Sequence, residues 1–231
     1  KPIEMEPIGT VPNIPRTADD VGEGDLTTPN SGTPIPIKEG ACTSTDFDDL
    51  EEALKSCEVP MPKSGEVPTG MRGKLDVRVT SSTLTTTPGG RVDLQVVLRN
   101  KSPEPLPLYF SGDPAPRFEV EAVDGKGRRV DMPTGRQPAY PRGYTPPSRE
   151  AKAYKITLGG GGSARVKVAW DAVKTKWAPD KLKTWEGRGY PRVPAGNLGV
   201  GKYTLRVLVP LIGVFEKGEL ELPKVPIEVG S

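Results

Sequence analysis

The sequence contains no histidine. That removes the side chain most often used as general base, metal ligand and pH switch near neutrality, and it excludes Ser-His-Asp and Cys-His catalysis outright. Cysteine is almost as scarce: Cys42 and Cys57 are the only two in 231 residues, and two thiols without histidine make a poor zinc site. Aromatic residues are 6% of the chain and hydrophobic residues 34%, a thin supply for two packed cores. No apolar run approaches the roughly 20 residues of a membrane-spanning helix. No pair of carboxylates stands apart from ordinary surface acid, as glycosidase chemistry would require. The expectation is a non-enzyme with no catalytic residue, no metal and no cofactor.

Glycine and proline are abundant, with 27 of each. Segments such as PIEMEPIGTVPNIP, TPNSGTPIPIKEG and CEVPMPKSGEVPTG make residues 1–70 an extended, polyproline-like extension. The exception is TDFDDLEEALKSC, where Leu50, Ala53, Leu54 and Cys57 recur at helical spacing behind Thr45 or Asp46 as caps. This predicts one short helix near 46–56, with Asp46, Asp48, Asp49, Glu51 and Glu52 suiting the N-terminal end of its dipole. Charge follows the same division. Residues 1–70 hold five basic and fourteen acidic side chains, and the rest hold 27 basic and 16 acidic. An acidic arm on a basic domain either lies over that domain or reaches a partner.

Cys42 and Cys57 flank the predicted helix, and an even pair reads as a disulfide, with free thiols as the alternative. A helix over the whole of Thr45 to Cys57 would rise about 18 Å, while three extended residues before it span only about 10 Å. A bridge wants Cα atoms about 5.5 Å apart. It therefore requires a shorter helix, starting near Phe47 or Asp48, and a preceding strand that folds back. A chain starting at Lys1 rather than methionine reads as trimmed, and a lipid anchor before Lys1 is compatible with the extended arm.

Alternation takes over at about residue 71. Leu75, Val77 and Val79 form one face; Val92, Leu94, Val96 and Leu98 the next. Phe118 to Ala122, Tyr154 to Leu158, Ala164 to Trp170, Tyr203 to Val209 and Val225 to Val229 follow, each with period two. Turn signals separate them: PGG at 88–90, DGKG at 124–127, GGGG at 159–162 and GVG at 199–201. The four glycines are expected as a hairpin turn, since a phosphate-binding loop would need a following Lys-Ser/Thr and a helix. In residues 88–112, PGGRVDLQVVLRNKSPEPLPLYFSG, Pro103, Pro105 and Pro107 interrupt a clean strand. They read as a turn after Asn100 leading to a proline-tolerant edge segment, with pairing resumed at Leu108 to Phe110. Trp170, on the apolar face, is expected in the core. The whole predicts an all-β fold, an immunoglobulin-like antiparallel β-sandwich over 71–231 with insertions near 132–153 and 174–197.

The order LRN (98–100), LYFSG (108–112), FEVEAVDGKGRRV (118–130), ITL with its glycines (156–162), Trp170-Asp171 and GKYTLRV (201–207) resembles the BsuPI-type intracellular proteinase inhibitor domain, over roughly residues 90–209. The resemblance implies an immunoglobulin-like sandwich and, through the family's founding activity, inhibition of a serine proteinase. No inhibitory loop matches residue by residue, so it is the fold that carries over.

The insertions hold the most distinctive surface residues. KTKWAPDKLKTWEGRGYPR, 174–192, interleaves Trp177, Trp185 and Tyr190 with Lys181, Lys183, Arg188 and Arg192. MPTGRQPAYPRGYTPPSRE, 132–150, adds Tyr140, Arg142 and Tyr144 and could form a second half of the same surface. Trp, Tyr and Arg are enriched at binding hot spots; the same aromatics could instead fold back as a cover over the sandwich. The expectation is an exported protein, periplasmic, outer-membrane-associated or extracellular, acting as a non-catalytic binding or structural accessory subunit of a bacterial envelope assembly. Its arm and basic aromatic loops would contact protein partners. Proteinase inhibition and glycan or cell-wall binding are the alternatives; a nucleic-acid partner is not expected.

Overall fold

The computed structural model describes residues 32–112, 115–145, 151–179 and 190–230. Period-two alternation decides its strands: in Arg91–Asn100, Val92, Leu94, Val96, Leu98 and Asn100 are buried and the residues between them face outward. In chain order the elements are β1 (Thr43–Phe47), α1 (Leu50–Leu54), β2 (Glu58–Val59), α2 (Met71–Lys74), β3 (Leu75–Ser81), β4 (Thr85–Thr86), β5 (Arg91–Asn100), β6 (Leu106–Gly112), β7 (Glu119–Val123), β8 (Lys152–Asp171), β9 (Val173–Trp177), β10 (Arg192–Asn197), β11 (Gly201–Leu208) and β12 (Lys224–Val229). Among the described residues the protein is all-β apart from two short helices.

One sheet runs β1-β8-β5-β3, with β2 and β6 also on β8; a second runs β4-β12-β11-β7; β9 and β10 form a separate hairpin. A single hydrophobic cluster joins the sheets, with Leu94, Leu98, Ile156 and Leu158 from the first and Leu205, Val207 and Ile227 from the second. Trp170 lies in that cluster, as its place on the apolar face predicted. The sheets are not purely antiparallel, however. β1 pairs with β8, and β4 with β12, in parallel. Parallel neighbours need a long crossover, and in both pairs the strands are separated by most of the domain.

The four glycines do not make a hairpin turn. They lie inside β8, whose 20 residues run unbroken from Lys152 to Asp171. β6 pairs with its first half and β5 with its second, both antiparallel, so β5 and β6 lie end to end along one strand. The glycines answer a crowding problem. A Cβ on Gly160 would collide with the Pro103 carbonyl, and one on Gly162 with the Thr45 carbonyl. The arm and the 101–105 turn cross β8 here at backbone contact distance, and Gly161 takes a positive φ of 70°. The prolines opposite are equally placed. Tyr109 directs its carbonyl away from β8, to the Ile212 amide; Pro107, two residues earlier, has the same orientation, so its missing donor costs the β8 ladder nothing.

Asn100 holds this crossing together. It is fully buried. Its Nδ2 donates to the carbonyls of Glu104, Leu158 and Gly159 at 2.7, 3.0 and 3.1 Å, and its Oδ1 accepts from the Ser102 amide and hydroxyl at 2.9 and 2.8 Å. Replacing it with alanine leaves buried carbonyls and an amide unpaired, so Asn100→Ala should lower unfolding free energy by about 3 kcal/mol. A urea midpoint shift measures this; an unchanged midpoint would show the turn to be held otherwise.

The arm is built into the same sheet. Glu39 accepts from the Thr45 amide and hydroxyl, and hydrogen bonds from Ser44 and Thr45 hold its carboxyl below the ordinary range. α1 begins at Leu50 behind Asp49, whose side chain caps the Glu52 amide, and buries Leu50 and Leu54. This late start satisfies the geometry that the cysteines demand. Cys42 and Cys57 form a disulfide with Cα atoms 5.7 Å apart. It closes a loop that contains β1 and α1, and for a loop of this length its removal should cost about 3 kcal/mol. The Cys42→Ser, Cys57→Ser chain is therefore expected to melt several degrees below the oxidised protein in calorimetry, and equal melting temperatures would refute the bridge's contribution.

Candidate functional site

The 124–127 turn fixes where the site begins. Asp124 Oδ1 accepts the amides of Lys126 and Arg128, and hydrogen bonds to the Arg128 backbone and side chain and to Lys126, with the Arg128 charge, hold its carboxyl below the ordinary range. The chain therefore doubles back, and Arg129 comes opposite Val123. Arg129 then bonds both Glu121 and Asp131, at 2.9 and 2.8 Å, while Glu121 also takes Arg206 from β11 at 2.9 Å.

Asp131, 8% exposed, joins three segments. Its Oδ2 accepts the Ala122 amide of β7, its Oδ1 accepts Arg129, and its carbonyl accepts both the amide and the hydroxyl of Thr175 in β9. Asp131 thus ties the β9–β10 hairpin to the second sheet. Sequence reading passed over this network. The signal was present in FEVEAVDGKGRRVD, because a turn at 124–127 sets residue 121 opposite 131, but it needs the turn register first.

On that hairpin the predicted aromatics gather. Trp177 lies directly opposite Arg192 in the strand pair. Its ring meets Tyr190 edge-on at 5.8 Å; Tyr190 meets Tyr140 at 5.9 Å, and Tyr140 meets Tyr144 at 5.6 Å. Such tilted and T-shaped contacts are the geometry that aromatic quadrupoles favour. The two insertions therefore meet through four rings. Tyr190 is buried and acts as an internal pillar, while Trp177, Tyr140 and Tyr144 are half-buried and Arg142 and Arg192 are exposed. Trp177 Nε1 is buried with no hydrogen-bond partner among the described residues. Arg192 extends over Met132. Lys181, Lys183, Trp185 and Arg188 lie outside the described residues.

Beside the rings is a groove of about 610 Å³ between the ends of the two sheets, a size typical of ligand sites. Phe118, Glu119 and Val120 form one side, Val168 to Asp171 the other, with Arg129, Asp131, Thr175 and Tyr190 to Arg192 above. Among the described residues no cluster of acidic side chains and cysteines has the grouping a metal ion needs, and no helix is long and apolar enough to cross a membrane.

No family model matches the chain, and no curated protein matches it. Among solved structures, the Pseudomonas fluorescens alkylpurine DNA glycosylase AlkC bound to DNA containing an abasic site analog is 13% identical with a TM-score of 0.32, over 68% of this chain and 31% of that one. The β-glucosidase from Listeria innocua in complex with glucose is 12% identical with a TM-score of 0.30, over 68% of this chain and 16% of that one. At those scores neither likeness bears on fold or activity.

If Asp131 joins β7, Arg129 and the hairpin as described, Asp131→Ala should cost about 3 kcal/mol, the usual effect of removing one partner from a largely buried ion pair. Asp131→Asn, which can still accept the Ala122 amide, should recover part of it. Chemical denaturation of the two variants checks the order; equal losses would contradict the role given to that hydrogen bond.

Proposed function

We propose that this protein is a non-catalytic binding or structural accessory subunit of a bacterial envelope or extracellular assembly, with an immunoglobulin-like sandwich as scaffold and protein contacts made by the aromatic insertions and the N-terminal arm. The observation that carries the reading is the meeting of two separate insertions in the Trp177–Tyr190–Tyr140–Tyr144 stack, with Arg142 and Arg192 exposed beside it. Rigid aromatic anchors next to arginine are what hot spots are made of, and a ring already packed against its neighbour loses little entropy on binding. The disulfide suits an oxidising, extracytoplasmic setting. The BsuPI-type resemblance supports the same scaffold.

Crosslinking in the native cells, followed by recovery of the tagged protein, tests this. The Tyr140→Ala, Trp177→Ala double variant, shown folded by circular dichroism, should lose the partners recovered by the wild type. Recovery of the same partners in the same amounts would refute the surface. Retention on cell-wall material abolished by the same substitutions would move the reading to glycan binding, and stoichiometric inhibition of a serine proteinase would move it to the inhibitor alternative.

A further inference from the structure

The outermost strand of the first sheet, β3, is paired on one side only, with β5, among the described residues. Its backbone directions follow from its two ends. The Lys74 carbonyl accepts the Lys101 amide and the Ser82 amide donates to Asp93, so even-numbered residues turn their groups toward β5. By alternation Leu75, Val77 and Val79 turn theirs outward. The Leu75 amide is taken by the Met71 carbonyl, where it closes α2. The Leu75 carbonyl and both groups of Val77 and Val79 meet no hydrogen-bond partner among the described residues. The second sheet treats its outer strand differently. On β12 the Glu228 and Gly230 amides go to Leu84 and Thr86, and the next residue of that orientation is Pro226, which has no amide to offer a neighbour. β3 contains no proline. The side chains it turns to the core are Leu75, Val77 and Val79, and the two valines pack against the core yet stay only partly buried. The edge is open, apolar on its inner face and short of cover.

We propose that this edge pairs with the same edge of a second copy of this chain, antiparallel about a two-fold axis, with Val77 opposite Val77. A two-fold interface demands a self-complementary surface, and Leu75-Asp76-Val77-Arg78-Val79 is one. Centred on Val77, Leu75 falls opposite Val79, and Asp76 falls opposite the second copy's Arg78, once on each side of the axis. Asp76 and Arg78 lie on the outer face of the sheet and are bonded to each other at 2.6 Å, with the Arg78 side chain 78% exposed. In the pair they occupy positions where the strands exchange no hydrogen bond and side chains approach most closely, so acids and bases alternate across the axis. Opposite charges placed this way favour pairing and like charges oppose it. The two nearest registers that keep the faces show the contrast: one sets Arg78 on Arg78, the other Asp76 on Asp76. In the favoured register each Val77 amide meets the other copy's Val77 carbonyl, and each Val79 amide the other's Leu75 carbonyl. The valines of both copies then line one continuous face beside the core. A single short strand buries little area, so the dimer is a weak one. The inference does not rest on the contact role proposed above, because β5 separates β3 from β8 and its groove.

Sedimentation equilibrium of the full chain tests it. The wild type should pass from monomer to dimer as its concentration is raised toward the millimolar range. Val77→Pro removes an amide that β5 does not use, so this variant should keep the wild-type circular dichroism and stay monomeric. Asp76→Lys and Arg78→Asp each set like charges opposite one another in their own dimers, and each should weaken self-association about ten-fold. Mixed in equal amounts, the two should associate about as strongly as the wild type, because every basic side chain of one then faces an acid of the other. A wild type that stays monomeric over the whole range would overturn the proposal, and so would Val77→Pro dimers as stable as the wild type's. A mixture that associates no better than its components would overturn the register centred on Val77.

Discussion

The architecture depends on the hydrogen bonds of one buried amide. Asn100 ties the end of β5, the turn that follows and the middle of β8 into a single node, and that node lets two short strands act as one long partner for a 20-residue strand. Without it, the Leu158 and Gly159 carbonyls of β8 and the Ser102 amide would lose a partner they have in the interior, where each such group costs on the order of a few kcal/mol. The glycines at 159–162 and the prolines at 103 and 105 then have one explanation. The former remove side chains where backbones touch, and the latter stiffen the turn that crosses over them.

Much of this was legible in the chain. Period-two alternation located β3, β5, β11 and β12, and put Trp170 on the core side, because a half-buried strand must alternate. Helical spacing located α1, and the reach of an extended chain required a late helix start before the Cys42–Cys57 bridge could close. What the sequence concealed was non-local. GGGG carries the composition of a turn, and only the chain crossing over it makes it a strand interior. The parallel pairing of β1 with β8 depends on where the arm lies, which no local pattern encodes.

The same distinction applies to the candidate site. Trp177, Tyr190, Tyr140 and Tyr144 were legible as residue types, but their meeting depends on Asp131, an acid that looks like ordinary surface charge until the hairpin register is known. The stack is also neither pure cover nor pure surface. Tyr190 is spent inside, and what it supports is left at the boundary with solvent. A surface built this way is stiff, because its rings are held by one another and by a hairpin fixed through buried hydrogen bonds.

Asn100-Lys101-Ser102 has the spelling of an N-glycosylation acceptor. In the folded chain the Asn100 amide is out of reach and its Nδ2 is committed to three carbonyls. A glycosylating secretory route would meet the chain before folding, and a sugar placed there would occupy the nitrogen on which the crossing is built. The fold is therefore compatible only with biosynthesis that leaves this tripeptide bare, which makes the compartment of manufacture, as well as the amino acids, part of what specifies the structure.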